Sequence, residues 1–144
     1  MHARILLAAL LTFAGAFASA AGGIDIVYLG TDDCPYCRHW EATRRPELLA
    51  SPEGRAARYH EVRGRTLREP IAEAHYPPEL RWVYAQVGPS RGVPRFILVV
   101  DGFVVLNALG TEAYRDKFLP ALRAAVVARN RANMASAGPA QRTE

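Results

Sequence analysis

The chain has 144 residues, half of them hydrophobic, and a formal net charge of +4. That length suits one domain with one core. Seventeen of the 18 basic residues are arginine and they alternate with Glu and Asp, a pattern that predicts a solvated, ion-paired surface and argues against nucleic-acid binding.

The N-terminus reads as a targeting segment. Met1-His2-Ala3-Arg4 is a short positive start, Ile5 to Phe17 is apolar apart from Thr12, and Ala18-Ser19-Ala20 supplies small residues for cleavage. Residues 1–20 are therefore expected to be a signal peptide, too short in its apolar part to span a bilayer. The reading predicts an exported protein, periplasmic or otherwise outside the cytosol, with no stable membrane insertion after cleavage. The domain is expected over 21–130 and a disordered tail over 131–144.

Along that domain, Ile24 to Leu29 is an apolar run that predicts a buried strand. Gly30-Thr31-Asp32-Asp33 is a turn, with Asp33 placed to cap the next helix, and Pro35 suits the first helical turn. The helix is expected from about Cys34 to Arg45, with a kink or break at Pro46 and a helical continuation to Ala50. Ala57 to Val62 alternates as a second strand. Thr66 to Val87 reads as two helices separated by Tyr76-Pro77-Pro78. Val93-Pro94 opens the strongest strand, Arg95 to Val100. Asp101-Gly102 is a hairpin signal, Phe103 to Leu109 returns, and a last helix runs from Thr111 to about Arg129.

The chemistry is concentrated in Thr31-Asp32-Asp33-Cys34-Pro35-Tyr36-Cys37, which holds both cysteines of the chain. A C-x-x-C at a strand-to-helix junction reads as a dithiol redox site. Cys34 at the helix start is favoured as the thiolate, because free N–H groups and the helix dipole stabilise negative charge there. It is expected to be the more exposed attacking sulfur, with Cys37 resolving the mixed disulfide. Other readings remain open: half of a metal site, which lacks further ligands at suitable spacing, or an inert clip. A bridge closing so short a loop constrains the unfolded chain little, so a structural role is weakly motivated. No metal and no cofactor is expected. Glu41 and Glu61 are both candidates to relay a proton to Cys37.

Cys34-Pro35-Tyr36-Cys37 after a buried strand, Val93-Pro94 before a strong strand, and a hairpin with a final helix together resemble the thioredoxin superfamily over about Ile24 to Arg129. The dipeptide within the dithiol is the glutaredoxin type, whereas Asp32-Asp33, Gly110-Thr111 and the signal peptide depart from that branch, and the exported thioredoxin-like proteins of bacteria fit best. The resemblance implies an α/β thioredoxin-like fold, a four-stranded mixed sheet (βαβ then ββα) flanked by helices on both faces. It implies a Cys34–Cys37 disulfide and a cis bond at Pro94 beside it. Pro35, Tyr36, Val93 and Pro94 are then the substrate-contacting residues, Val93 through its backbone. The implied activity is thiol-disulfide exchange with protein thiols or disulfides, a reductase among its options, with a separate electron donor or acceptor protein and a monomeric chain. A non-catalytic binding module on the same scaffold and a metal-delivery protein are the alternatives.

Overall fold

The structure, a computed structural model, describes residues 22–138; the expected signal peptide lies outside the described residues. Four strands form one sheet in the order β2-β1-β3-β4. They are β1 (Ile24–Thr31), β2 (Arg58–Gly64), β3 (Arg95–Val100) and β4 (Phe103–Leu109). β1 runs parallel to β2 and antiparallel to β3, and β3 and β4 form an antiparallel hairpin. The parallel pair is joined through α1 (Pro35–Ala50) and α2 (Pro52–Arg55). Such a pair needs a long crossover, which a helix supplies. Asp101 and Gly102, both at positive φ, turn the hairpin in the manner the sequence Asp-Gly favours.

β1 is buried along its whole length, so its alternating side chains feed two cores. Ile24, Ile26 and Tyr28 face a cluster with Cys34, Cys37, Trp40, Phe96 and Phe118. Val27 and Leu29 face the other cluster, with Ile71, Leu80, Val83 and Ile97. The first core is covered by α1 and by a C-terminal helical stretch. That stretch comprises α4 (Gly110–Ala113), a π-helical turn (Tyr114–Phe118) and α5 (Leu119–Ser136). α3 (Arg81–Val87) covers the second core.

Two expectations need correction. The helix before Tyr76 does not form: between β2 and α3 there are only short 3₁₀ turns, Glu73–His75 and Pro78–Leu80. Pro70 deprives a helix of one donor there, and Ile71 instead exchanges backbone hydrogen bonds with Ser90 at 2.9 and 3.0 Å. Pro46 lies inside α1, and the helix continues to Ala50 as expected. Residues 131–136, assigned above to a disordered tail, continue α5 to Ser136. Ala, Arg and Met there favour helix, and the Ser136 hydroxyl donates to the Ala132 carbonyl at 2.9 Å. Residues 139–144 lie outside the described part.

One buried charge lies on β1, facing the second core. Asp25 is 4% exposed and accepts from Arg58 at 2.7 and 2.8 Å and from His60 Nε2 at 2.9 Å. Burial opposes its ionisation, but the hydrogen bonds and charges of Arg58 and His60 outweigh burial and hold the carboxyl below its ordinary 3.8. A depressed folded pKa contributes stability that is complete above the unfolded value, near pH 4, and is lost as pH falls through the folded pKa. Asp25→Asn is therefore expected to cost about 1–3 kcal/mol at neutral pH. Urea denaturation at pH 7 and at pH 3 should show that difference shrinking at the lower pH.

Candidate functional site

Cys34 and Cys37 form a disulfide across the start of α1. Cys34 is the N-cap residue, in extended conformation, and its Sγ accepts from the Cys37 backbone N–H at 3.1 Å. Pro35 follows as the first helical residue, where its missing N–H leaves nothing unsatisfied. The first turn carries no acidic side chain, so the helix dipole at Cys34 is unopposed from within the helix. Cys34, expected to be the more exposed sulfur, is as buried as its partner: 1% against 0%. What solvent meets is the loop between them, with Pro35 and Tyr36 exposed, Tyr36 at 70%.

The expected cap, Asp33, is used elsewhere. Its carboxylate accepts from the Thr31 and Thr66 hydroxyls at 3.0 and 2.8 Å and from the Leu67 N–H at 2.8 Å. The Thr66 hydrogen bond leads the interactions that hold this carboxyl below its usual range. Asp33 thus pins the loop after β2 to the turn that carries the dithiol. Asp32 is exposed beside Arg63 at 3.5 Å, and its carbonyl accepts from Arg38 at 2.9 Å. Each acidic side chain therefore has a partner other than the dithiol.

The second half of the site arrives from about 60 residues along the chain. The Val93–Pro94 peptide is cis, and the Val93 carbonyl oxygen lies 3.9 Å from Cys34 Sγ. Pro94 is buried and Val93 half-buried. Two contacts hold this segment. Arg95 donates to the Arg91 carbonyl at 2.8 Å and to Asn107 Oδ1 at 3.0 Å. The Gly110 N–H donates to the Pro94 carbonyl at 2.8 Å. Gly110 has φ +89°, a conformation glycine adopts without strain. Tyr36, Val93 and Pro94 share a shallow depression of about 490 Å³ with Leu109, Thr111 and Glu112. The sequence singles out neither Leu109 nor Glu112 for this site; the only signal pointing there is the strand-ending Gly110.

Of the two proton-relay candidates, Glu41 is the one tied to the buried cluster. Tyr28, packed with the cysteines, donates its hydroxyl to Glu41 Oε1 at 2.8 Å, and Arg63 donates to the same oxygen at 2.8 Å. Burial and Glu41 push the Tyr28 hydroxyl far above its ordinary value. Glu61 is occupied at the surface by Arg45 at 2.7 Å and Tyr59 at 2.9 Å. Among the described residues, no three of His, Cys, Asp and Glu converge as a metal-binding group.

No protein-family model and no curated protein matches the sequence. Solved structures do. The periplasmic thioredoxin SoxS from Paracoccus pantotrophus, in its reduced form, aligns with 72% of this chain and 95% of its own at 23% identity and a TM-score of 0.49. Thioredoxin f from spinach chloroplast aligns with 77% of this chain and 87% of its own at 23% identity and a TM-score of 0.47. The Malassezia sympodialis thioredoxin Mala s 13 aligns with 75% of this chain and 81% of its own at 13% identity and a TM-score of 0.51. Together with the mixed four-stranded sheet and the dithiol at the start of α1, that last likeness shows the thioredoxin-like fold.

Asp33→Ala should free the loop after β2 without displacing the disulfide. Amide hydrogen exchange would show Leu67 losing several-fold in protection while the strand amides of Val27 and Ile97 keep theirs. Equal loss at all three would mean that Asp33 supports the whole domain.

Proposed function

We propose that this chain is an exported thiol-disulfide oxidoreductase in which Cys34 exchanges with protein thiols or disulfides and Cys37 resolves the intermediate. The observation that carries the reading is the disulfide held across the first turn of α1 with the Val93 carbonyl against Cys34. A substrate chain there would lie over Pro35 and Tyr36, beside the Val93–Pro94 segment that touches Cys34. Export rests on the sequence of residues 1–20. It is compatible with there being, among the described residues, no helix long and apolar enough to cross a membrane.

The exchange balances in either direction. In the reducing direction the Cys34 thiolate attacks a substrate disulfide, forming a mixed disulfide and releasing one substrate thiolate. The Cys37 thiolate then attacks Cys34 Sγ, releasing the second, so two electrons pass to the substrate and the protein closes its own disulfide. A separate donor reopens it. In the oxidising direction a substrate thiolate attacks Cys34 of the disulfide, and the same steps run backwards. The Cys37 N–H directed at Cys34 Sγ stabilises negative charge on that sulfur, which suits Cys34 as both the attacking thiolate and the leaving group. Pro35, Tyr36, Val93 and Pro94 form the surface that the substrate touches, and the chain acts as a monomer.

The burial of Cys34 favours one rival, a scaffold whose disulfide is a passive clip. The two readings part in the single-cysteine variants. Cys34→Ser is expected to abolish disulfide exchange, and Cys37→Ser to accumulate mixed disulfides visible on non-reducing gels and by mass spectrometry. Absence of exchange by the wild type, with no mixed disulfide accumulating in Cys37→Ser, would establish the clip.

A further inference from the structure

The disulfide is enclosed, and a reagent reaches Cys34 only when something beside it moves. Cys34 is 1% exposed, with the Val93 carbonyl oxygen 3.9 Å from its sulfur. Val93 also packs against the cluster that contains both cysteines, so the segment carrying it is part of the cover.

That segment is fixed at its two ends and held lightly between them. Upstream, Ser90 exchanges backbone hydrogen bonds with Ile71 at 2.9 and 3.0 Å. Ile71 is buried and follows closely on Leu67, which Asp33 holds to the turn before Cys34. Downstream, the Pro94 carbonyl accepts from Gly110 at 2.8 Å, and Arg95 begins β3. Between these anchors the backbone of Arg91, Gly92 and Val93 makes, among the described residues, no hydrogen bond to other backbone. Gly92, at φ +85°, gives this short stretch freedom to swing.

One side chain holds the middle. Arg95 folds back so that its guanidinium donates to the Arg91 carbonyl at 2.8 Å and to the Gly92 carbonyl at 3.4 Å. Its remaining arm donates to Asn107 Oδ1 on β4 at 3.0 Å. All three acceptors are neutral, and burial pushes Arg95 below its ordinary pKa, so the cation gives up hydration to make these bonds. A guanidinium fork spans two carbonyls and an amide oxygen at once, which a lysine ammonium on its single point cannot.

We infer that residues 91–93 are a latch over Cys34 and that Arg95 is the positioning residue that keeps it shut, so that the latch sets how fast the disulfide reacts. What the opening serves rests on the redox reading above; the latch itself does not. Opening exposes Cys34 to attack when the pair is oxidised and frees it to attack when the pair is reduced. It therefore enters the forward and reverse rates equally.

Dithiothreitol probes both directions, because each exchange passes two electrons between its dithiol and the Cys34–Cys37 disulfide and closes one ring as it opens the other. Reduction by dithiothreitol and reoxidation by its oxidised form are followed in the full chain by acid quenching and mass spectrometry. Arg95→Met and Arg95→Lys are each expected to react about tenfold faster than wild type in both directions, with the reduction potential unchanged. Asp25→Asn, which loosens the domain at the opposite end of β1 from the dithiol turn, is expected to keep the wild-type rates. Rates within about threefold of wild type in Arg95→Met overturn the latch. Wild-type rates in Arg95→Lys overturn it as well, by showing that charge suffices without the span. Acceleration in one direction only would place Arg95 in the redox equilibrium and not in access, and equal acceleration in Asp25→Asn would make the effect global loosening; either result overturns the inference. The reagent is small, so the outcome stands whether or not the protein exchanges disulfides with other proteins, which the single-cysteine variants decide.

Discussion

Trp40 stacks on Tyr28 with ring centroids 4.6 Å apart and packs against Phe96 at 4.9 Å and Tyr114 edge-on at 5.4 Å. Phe118 closes the group against Phe96 and Tyr114. These rings come from β1, β3, α1 and the C-terminal helical stretch, so one cluster fixes the helix that starts at the dithiol against the sheet and the last helix. Aromatic pairs contribute about 0.5–1.5 kcal/mol each beyond the area they bury, and the cluster holds several. Trp40 lies three residues after Cys37, on the same face of α1. The placement of both sulfurs therefore depends on that contact as well as on the bonds at the dithiol itself.

The same constraint explains how a buried disulfide is presented. α1 is pressed so closely to the sheet that Cys34 and Cys37 are both enclosed, and only Pro35 and Tyr36 project. Access then depends on the neighbouring segments. Arg95 and Gly110 hold the Val93–Pro94 loop on one side, and Asp33 ties down Thr66 and Leu67 on the other. The Gly110–Pro94 and Asp33–Thr66 clamps join segments far apart in sequence, which makes the site a product of the whole fold.

Much of this was legible in the residues. The apolar run of β1, the Asp101-Gly102 turn and the helix periodicity after Gly110 act locally, and the strands and hairpin follow from them. The dithiol and Val93-Pro94 are equally plain as motifs. What the sequence hides is tertiary. Asp33 looks like a helix cap because Ser, Thr, Asp and Asn are the usual caps, yet its true partners are Thr66 and Leu67, more than 30 residues on. The stretch from Thr66 has helix-compatible residues, but Ile71 pairs with Ser90 in an isolated bridge outside the sheet. Periodicity marks Trp40 as core; that its N–H is left without a partner beside Tyr114 appears only once the two helices are placed together.

The central claim is that Cys34–Cys37 is an exchanging pair. The reduction potential of the purified protein, from equilibration with glutathione or dithiothreitol buffers, tests it most directly. The account predicts a value in the range of redox-active dithiols, about −270 to −120 mV. A value below about −300 mV, where structural disulfides resist reduction by the thiol pool, would contradict it and leave the bridge as a clip.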